Sequence, residues 1–288
     1  MAARTHADRC PGVFRPWVAE DGAIVRLRVP GGRLSADALL RVVDAAERYG
    51  DGTVLLTKRA NLQLRGIQPR AVGGVPLGLV DAIADAGLLP SRTHELVRNI
   101  LVSPLTGLFG GRVDLRPVVH ALDDALTADP SLASLGGRFL FVLDDGRGDV
   151  ARRDLDLGLV AVDATRAQLR AGTAGWGPVV PVGRAAADLV DLAGEFIRVR
   201  GRGPGACWHV DELSDPAAVL RTGAPRDPAT AVESGPTPPG RYLGSGGRPV
   251  EVLAVQDGLV RRALAERLSG AAGLVVTPWR TIVVEEPA

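Results

Sequence analysis

At 288 residues, 46% of them apolar and with a mean hydropathy of +0.12, the chain can bury at least one sizeable core and is not a disordered segment. Its 34 basic and 33 acidic residues leave a net charge of +1, which excludes the concentrated basic footprint of a bulk nucleic-acid binder, so any anion recognition must be local. No apolar run reaches the roughly 18–20 residues of a membrane helix, the N-terminal MAARTHADRC lacks an apolar signal core, and the distant Cys10 and Cys207 form no disulfide framework. These features point to a cytoplasmic protein.

The first clear element is AIVRLRV (23–29), which alternates with Val25, Leu27 and Val29 inward and Arg26 and Arg28 outward. PGGR turns the chain. Ser35 then caps a helix over ADALLRVVDAAERY, with Leu39, Val43 and Ala46 on one face and Gly50 as its stop. TVLLT and NLQLRGI follow as strands. In the second of these, period-two geometry places Gln63 and Arg65 on the polar side, with Arg59 in the connection just before them.

Helices are expected over 75–88, over 113–126 and over 184–199, with strands at RFLFVLDDGRGDV and LGLVAVD between the last two. The stretch 222–236 is rich in Pro, Gly, Ala, Ser and Thr and reads as a linker. Beyond it PVEVLAV is a strand, QDGLVRRALAERLSG a helix, and GLVVT and PWRTIVVEE two more strands. TVLLTKRANLQL and GLVVTPWRTIVV share a strand, a Thr, an Arg-containing link and a second strand. They form a duplicated strand–helix–strand–strand unit, with Thr57 matching Thr277 and Arg280 as the counterpart of Arg59.

The T-x-R link, the QLRG strand and VRNILVSPLTG (97–107) resemble the sulfite/nitrite reductase family. KRANLQLRGI, GRFLFVLDDGRGDV and LVVTPWR resemble its precorrin-3B synthase branch most. The resemblance implies an α+β fold in which two ferredoxin-like half-domains share a sheet, with an inserted α/β domain of sulfite/nitrite-reductase type. The division is 1–75, 76–221, a linker at 222–236, and 237–288. It implies an oxidoreductase of aerobic cobalamin biosynthesis that hydroxylates precorrin-3A using O₂ and external electrons. The alternative is a non-catalytic tetrapyrrole carrier or accessory protein. The ligand would be a precorrin or sirohaem-like tetrapyrrole, whose acetate and propionate groups suit guanidinium donors. On this resemblance Arg59, Arg65 and Arg98 form a carboxylate clamp, with Gln63 and Asn99 beside it and Arg280 in the second repeat.

The family also implies a [4Fe–4S] cluster on four Cys, and neither Cys10 nor Cys207 matches those positions. The cluster domain is therefore expected to be absent, and a cluster-bearing partner chain or electron donor is implied. No residue is assigned to catalysis and no metal ligand is expected. His120 is read as a helical neighbour of Asp123 and Asp124. Cys207 with His209 offers too few ligands for a metal, and DDGRGD (144–149) has the composition of a turn.

Overall fold

The structure is a computed structural model that describes residues 8–287; the N-terminal stretch read above for a signal core lies, through residue 7, outside them. In chain order, β1 (Trp17–Ala19) and β2 (Gly22–Leu27) form a hairpin, followed by β3 (Arg33–Leu34), α1 (Ala36–Tyr49), β4 (Val54–Leu56) and β5 (Leu62–Ile67). Next come α2 (Leu77–Asp85), β6 (Ile100–Val102), α3 (Arg116–Ala128), β7 (Phe141–Asp144), β8 (Leu157–Ala161), β9 (Arg166–Ala171), β10 (Gly175–Pro181) and α4 (Ala185–Val199). The remaining elements are β11 (Gly240–Leu243), β12 (Pro249–Ala254), β13 (Leu259–Val260), α5 (Arg262–Arg267), β14 (Gly273–Val276) and β15 (Thr281–Glu285). They form two compact units. A repeat unit combines Cys10–Leu96 with the residues from Thr237 on, and a central unit holds Val97–Pro236 with Asp8 and Arg9.

The expected single shared sheet is not what the repeat unit contains. It has two five-stranded antiparallel sheets, ordered β1-β2-β5-β4-β13 and β11-β12-β15-β14-β3. Each repeat builds four strands of its own sheet and lends a short fifth strand to the other. β3 pairs with β14 (Leu34 opposite Leu274), and β13 pairs with β4 (Val260 opposite Val54). The exchange starts at matched turns. Pro30–Gly32 and Gln256–Gly258 each reverse the chain through a left-handed residue, Gly31 (φ 63°) and Asp257 (φ 56°). The second of these turns and β13 take up residues that helical periodicity had assigned to a long helix, so α5 covers only Arg262–Arg267. Arg262 ties it to α1 through Asp44 and Glu47.

Helix α1 forms as its sequence demands. Ser35 Oγ accepts the Ala38 amide at 3.0 Å, Asp37 and Arg48 complement the two ends of the helix dipole, and the buried Leu39, Val42, Val43 and Ala46 pack toward β4 and β5.

In the central unit the sheet order is β10-β9-β8-β7-β6. β6, β7 and β8 run parallel, while β9 and β10 add antiparallel. α3 and α4 cover one face, where Phe139 meets Phe141 and Phe196 at centroid distances of 5.3 and 5.1 Å. Each such ring contributes about 1.5–3 kcal/mol by leaving water. Strands β9 and β10 escape sequence reading because their inward positions are small or interrupted (Ala167, Leu169 and Ala171 in one, Gly and Pro in the other). The segment 222–236 belongs to this unit. Thr230 is fully buried, Gln168 bonds both Pro225 O and the Asp227 amide, and Arg112 Nη1 donates to Ala229 O. The boundary on the other side lies after Leu96 rather than at 75.

Candidate anion-binding site

The T-x-R link is a turn organised by a hydroxyl. Thr57 Oγ1 accepts the amides of Arg59 (3.4 Å) and Asn61 (3.1 Å), and the Thr57 amide donates back to Asn61 O at 2.9 Å. Ala60 takes a left-handed conformation, φ 56°. The second repeat builds the same turn on Thr277, whose Oγ1 accepts from Trp279 and Thr281. There the left-handed residue is Arg280, φ 60°. Superposing the turns residue by residue sets Arg280 on Ala60 and Trp279 on Arg59, so Arg280 is not the counterpart of Arg59. Its side chain is exposed.

The first sheet gathers positive charge on one face. Arg26 and Arg28, two apart, project to the same side. Gln63 stands directly opposite Arg26 on β5, and Arg26 Nη2 donates to Gln63 Oε1 at 3.0 Å. Arg28 is only 2% exposed, with Nη1 reaching the carbonyls of Arg26 and Pro11 at 3.3 and 3.5 Å. Burial first, then Arg26 and, more weakly, Arg59, push its guanidinium down to about 10, against the pull of Cys10 and Glu95. Arg28 thus lies within electrostatic reach of both Arg26 and Arg59, and Arg26 stands beside the Gln63 carboxamide. Such a group gains most from an anion, because each added negative charge offsets several unfavourable terms together. The strict alternation marked Arg26 and Arg28 as outward. Sequence reasoning did not single them out, because the pairing of Arg26 with Gln63 joins strands 37 residues apart.

The remaining residues named from sequence have other partners. A bulge displaces Arg65: Ala23 pairs with Ile67 but Val25 with Leu64, and Gly66 is left-handed at φ 67°. Arg65 turns outward, where its Nε and Nη2 hold Asp21 at 3.1 and 3.0 Å. Arg98, in the central unit, is 5% exposed and grips Asp123 through two bonds of 2.6 and 2.5 Å. Asp123 therefore answers Arg98 rather than His120. Asn99 donates its side-chain amide to Gly137 O and Phe139 O at 2.9 and 3.2 Å, fixing the approach to β7.

DDGRGD folds as a carboxylate-centred turn: Asp144 accepts the amides of Gly146, Gly148 and Val150, and Asp145 pairs with Arg147. Asp149 accepts from Ser103 Oγ at 2.7 Å, yet burial and the neighbouring Asp144 push its carboxyl up to about 7. His209 Nδ1 accepts the Asp211 amide at 3.0 Å and caps a turn. No group of three or more metal-ligating side chains occurs among the described residues. Cys10 is buried, and the Cys207 thiol is directed to Glu212 O. Two cysteines in the sequence cannot supply the four thiolates of a [4Fe–4S] cluster, so these residues do not fit that group. No helix among the described residues is long and apolar enough to cross a membrane.

Residues 18–76 match the nitrite/sulfite reductase ferredoxin-like half domain family. Over 138 residues, 48% of this chain and 28% of the relative, the sequence is 33% identical to a precorrin-3B synthase from Sinorhizobium sp. Over 143 residues, 47% of this chain and 27% of the relative, it is 32% identical to a ferredoxin–nitrite reductase from Leptolyngbya laminosa. The aligned region thus spans little more than a quarter of either relative. The Mycobacterium tuberculosis NirA protein shares the fold at a TM-score of 0.72 and 19% identity, covering 99% of this chain and 58% of that one. Residues 18–76 thus carry the match to the nitrite/sulfite reductase ferredoxin-like half domain, and about half of the chain is similar to a precorrin-3B synthase and to a ferredoxin–nitrite reductase.

Proposed function

We propose that this chain binds an anionic tetrapyrrole and serves a precorrin-3B-synthase-like oxidoreductase of aerobic cobalamin biosynthesis, with the iron–sulfur centre and electrons supplied from outside these 288 residues. The observation that carries the reading is the buried Arg28, which feels the charges of Arg26 and Arg59, with Gln63 opposite Arg26 on the next strand. That the Sinorhizobium relative is named a precorrin-3B synthase supports the choice of substrate class. In this reading Arg28 and Arg59 hold ligand carboxylates and Arg26 and Gln63 orient them, while Arg65, Arg98 and Asn99, engaged with Asp21, Asp123 and backbone carbonyls, take no part in the clamp. A tetrapyrrole, when bound, supplies the conjugated ring that is oxidised; the chain's own residues bind and orient its carboxylates.

The test is titration of the purified protein with uroporphyrin, a stable anionic tetrapyrrole, followed by absorbance. Arg59→Ala and Arg28→Lys are each expected to weaken binding about tenfold or more, since hydrogen bonds to charged groups contribute about 1.5–3 kcal/mol. Binding that is absent in the parent protein, or equal in parent and both variants, would sink the proposal.

A further inference from the structure

The central unit has a second concentration of guanidinium groups. Ala167, Leu169 and Ala171 of β9 face α3 and α4 in the core, so Gln168 and Arg170 face the other way. Gln168 is fully engaged there, donating to Gly177 O and Pro225 O and accepting from the Asp227 amide. Arg170 is not. It is 7% exposed, and Nη1 donates to Ala151 O at 2.5 Å and Nη2 to Thr173 O at 3.2 Å. Its Nε is buried with no hydrogen-bond partner. Burial and then the charge of Arg226 lower its pKa. Arg226 gives its own bonds to Thr230, at 3.2 Å to Oγ1 and 2.7 Å to the carbonyl. Neither guanidinium has a carboxylate partner among the described residues, and both lie 4.8 Å from the ring centroid of Trp176.

These groups line a cavity of about 490 Å³, together with Arg152, Arg153, Asp154 and Glu233. Four guanidiniums against two carboxylates leave a formal excess of two positive charges. One of those carboxylates, Glu233, is already paired with Arg152 in an exposed bridge. Guanidiniums that line a cavity without a carboxylate partner suit an oxyanion, which accepts charge-assisted bonds from them. The Trp176 ring gives the same space an apolar wall. The volume falls within the roughly 300–1,000 Å³ of organic-ligand sites and well above the needs of a lone ion.

We infer that this cleft binds a small organic oxyanion, a carboxylate- or phosphate-bearing molecule, gripped by Arg170 and Arg226 against Trp176. The site lies wholly within the central unit and is independent of the tetrapyrrole reading, which rests on the first sheet of the repeat unit.

Calorimetric titration of the full chain tests it with three probes at matched ionic strength: citrate, glycerol 3-phosphate and sodium chloride. The expected result is saturable binding of citrate or glycerol 3-phosphate at one site per chain, with no saturable heat from chloride. Which probe binds more tightly distinguishes a carboxylate from a phosphate ligand. Arg226→Gln is expected to weaken that binding tenfold or more, and its exposed position spares the fold. Arg170→Lys should do the same, and Trp176→Phe should retain most of the affinity. Three outcomes overturn the inference: no saturable binding of either organic probe, binding equal in the parent and Arg226→Gln, or binding lost in Arg59→Ala but kept in Arg226→Gln. The last assigns the probe to the first sheet instead.

Discussion

Arg98 shows how a guanidinium can carry a family motif while its charge is spent inside the fold. Its two bonds to Asp123 lie at a position only 5% exposed, so removing it would leave a carboxylate without its partner. A substitution there reports on stability before it reports on any ligand. Asp149 poses the opposite case, a carboxyl whose folded pKa is about 7 because burial and Asp144 outweigh the donation from Ser103. Its unfolded value is about 3.9. Between those two values the folded chain keeps a proton that the unfolded chain has lost, so this group's contribution to stability falls as pH rises from about 4 to about 7. Urea midpoints compared between the parent protein and Asp149→Asn should show it: the parent loses ground to the variant across that interval, and the difference levels off above it. A constant difference from pH 4 to pH 8 would place the Asp149 carboxyl in the ordinary range.

The elements most legible from sequence were those with one strong local signal. Ser35, the spacing of Leu39 and Val43, and Gly50 delimit α1 correctly, and the alternation of Val25 and Leu27 defines β2. What failed were features that depend on a partner distant in sequence. Nothing near Arg65 announces that the β5 bulge will turn it toward Asp21. Likewise, nothing in QDGLV tells a helix start from a strand completed by Leu55 and Val54. Of the candidate site, Arg59 and Gln63 were legible through the motif. Arg28 was not, because alternation assigned it to solvent, whereas the structure buries it. The turn before β3 offers a test at this scale. Gly32 has φ +72°, and a Cβ there would press on Val276 O of the other repeat; Gly73 has φ +83° with nothing within 4 Å. Both alanine variants bear the left-handed backbone cost of roughly 1–2 kcal/mol. Only Gly32→Ala also has to move β14, so chemical denaturation is expected to show it less stable than Gly73→Ala by at least about 1 kcal/mol. Equal losses would mean that the two repeats yield freely at their junction.

At the scale of the whole molecule, duplication is visible in the sequence, but the way the copies complete each other is not. Each sheet of the repeat unit is missing one edge until the other copy supplies it, so Arg33 must find Val275 and Leu55 must find Leu259. The chain leaves this unit after Leu96 and returns at Thr237, whereas the central unit is nearly contiguous from Val97 to Pro236. Order of synthesis then decides order of folding. A ribosome making this protein exposes α1, β4 and β5 first, yet must translate the entire central unit before the strand that completes their sheet exists. During that interval the edge of β4 is open to pairing with other chains. Nascent chains arrested after Pro236, with the whole central unit clear of the exit tunnel, are expected to show protease-resistant central segments and protease-sensitive segments from Cys10 to Leu96. Arrest beyond Glu286, equally clear of the tunnel, should protect both. Early protection of the first segment would show that its sheet stands without the borrowed strand. Otherwise the segment Cys10–Leu96, made before the central unit, becomes safe from aggregation only after it, and its yield in the cell depends on chaperone cover over the intervening translation time.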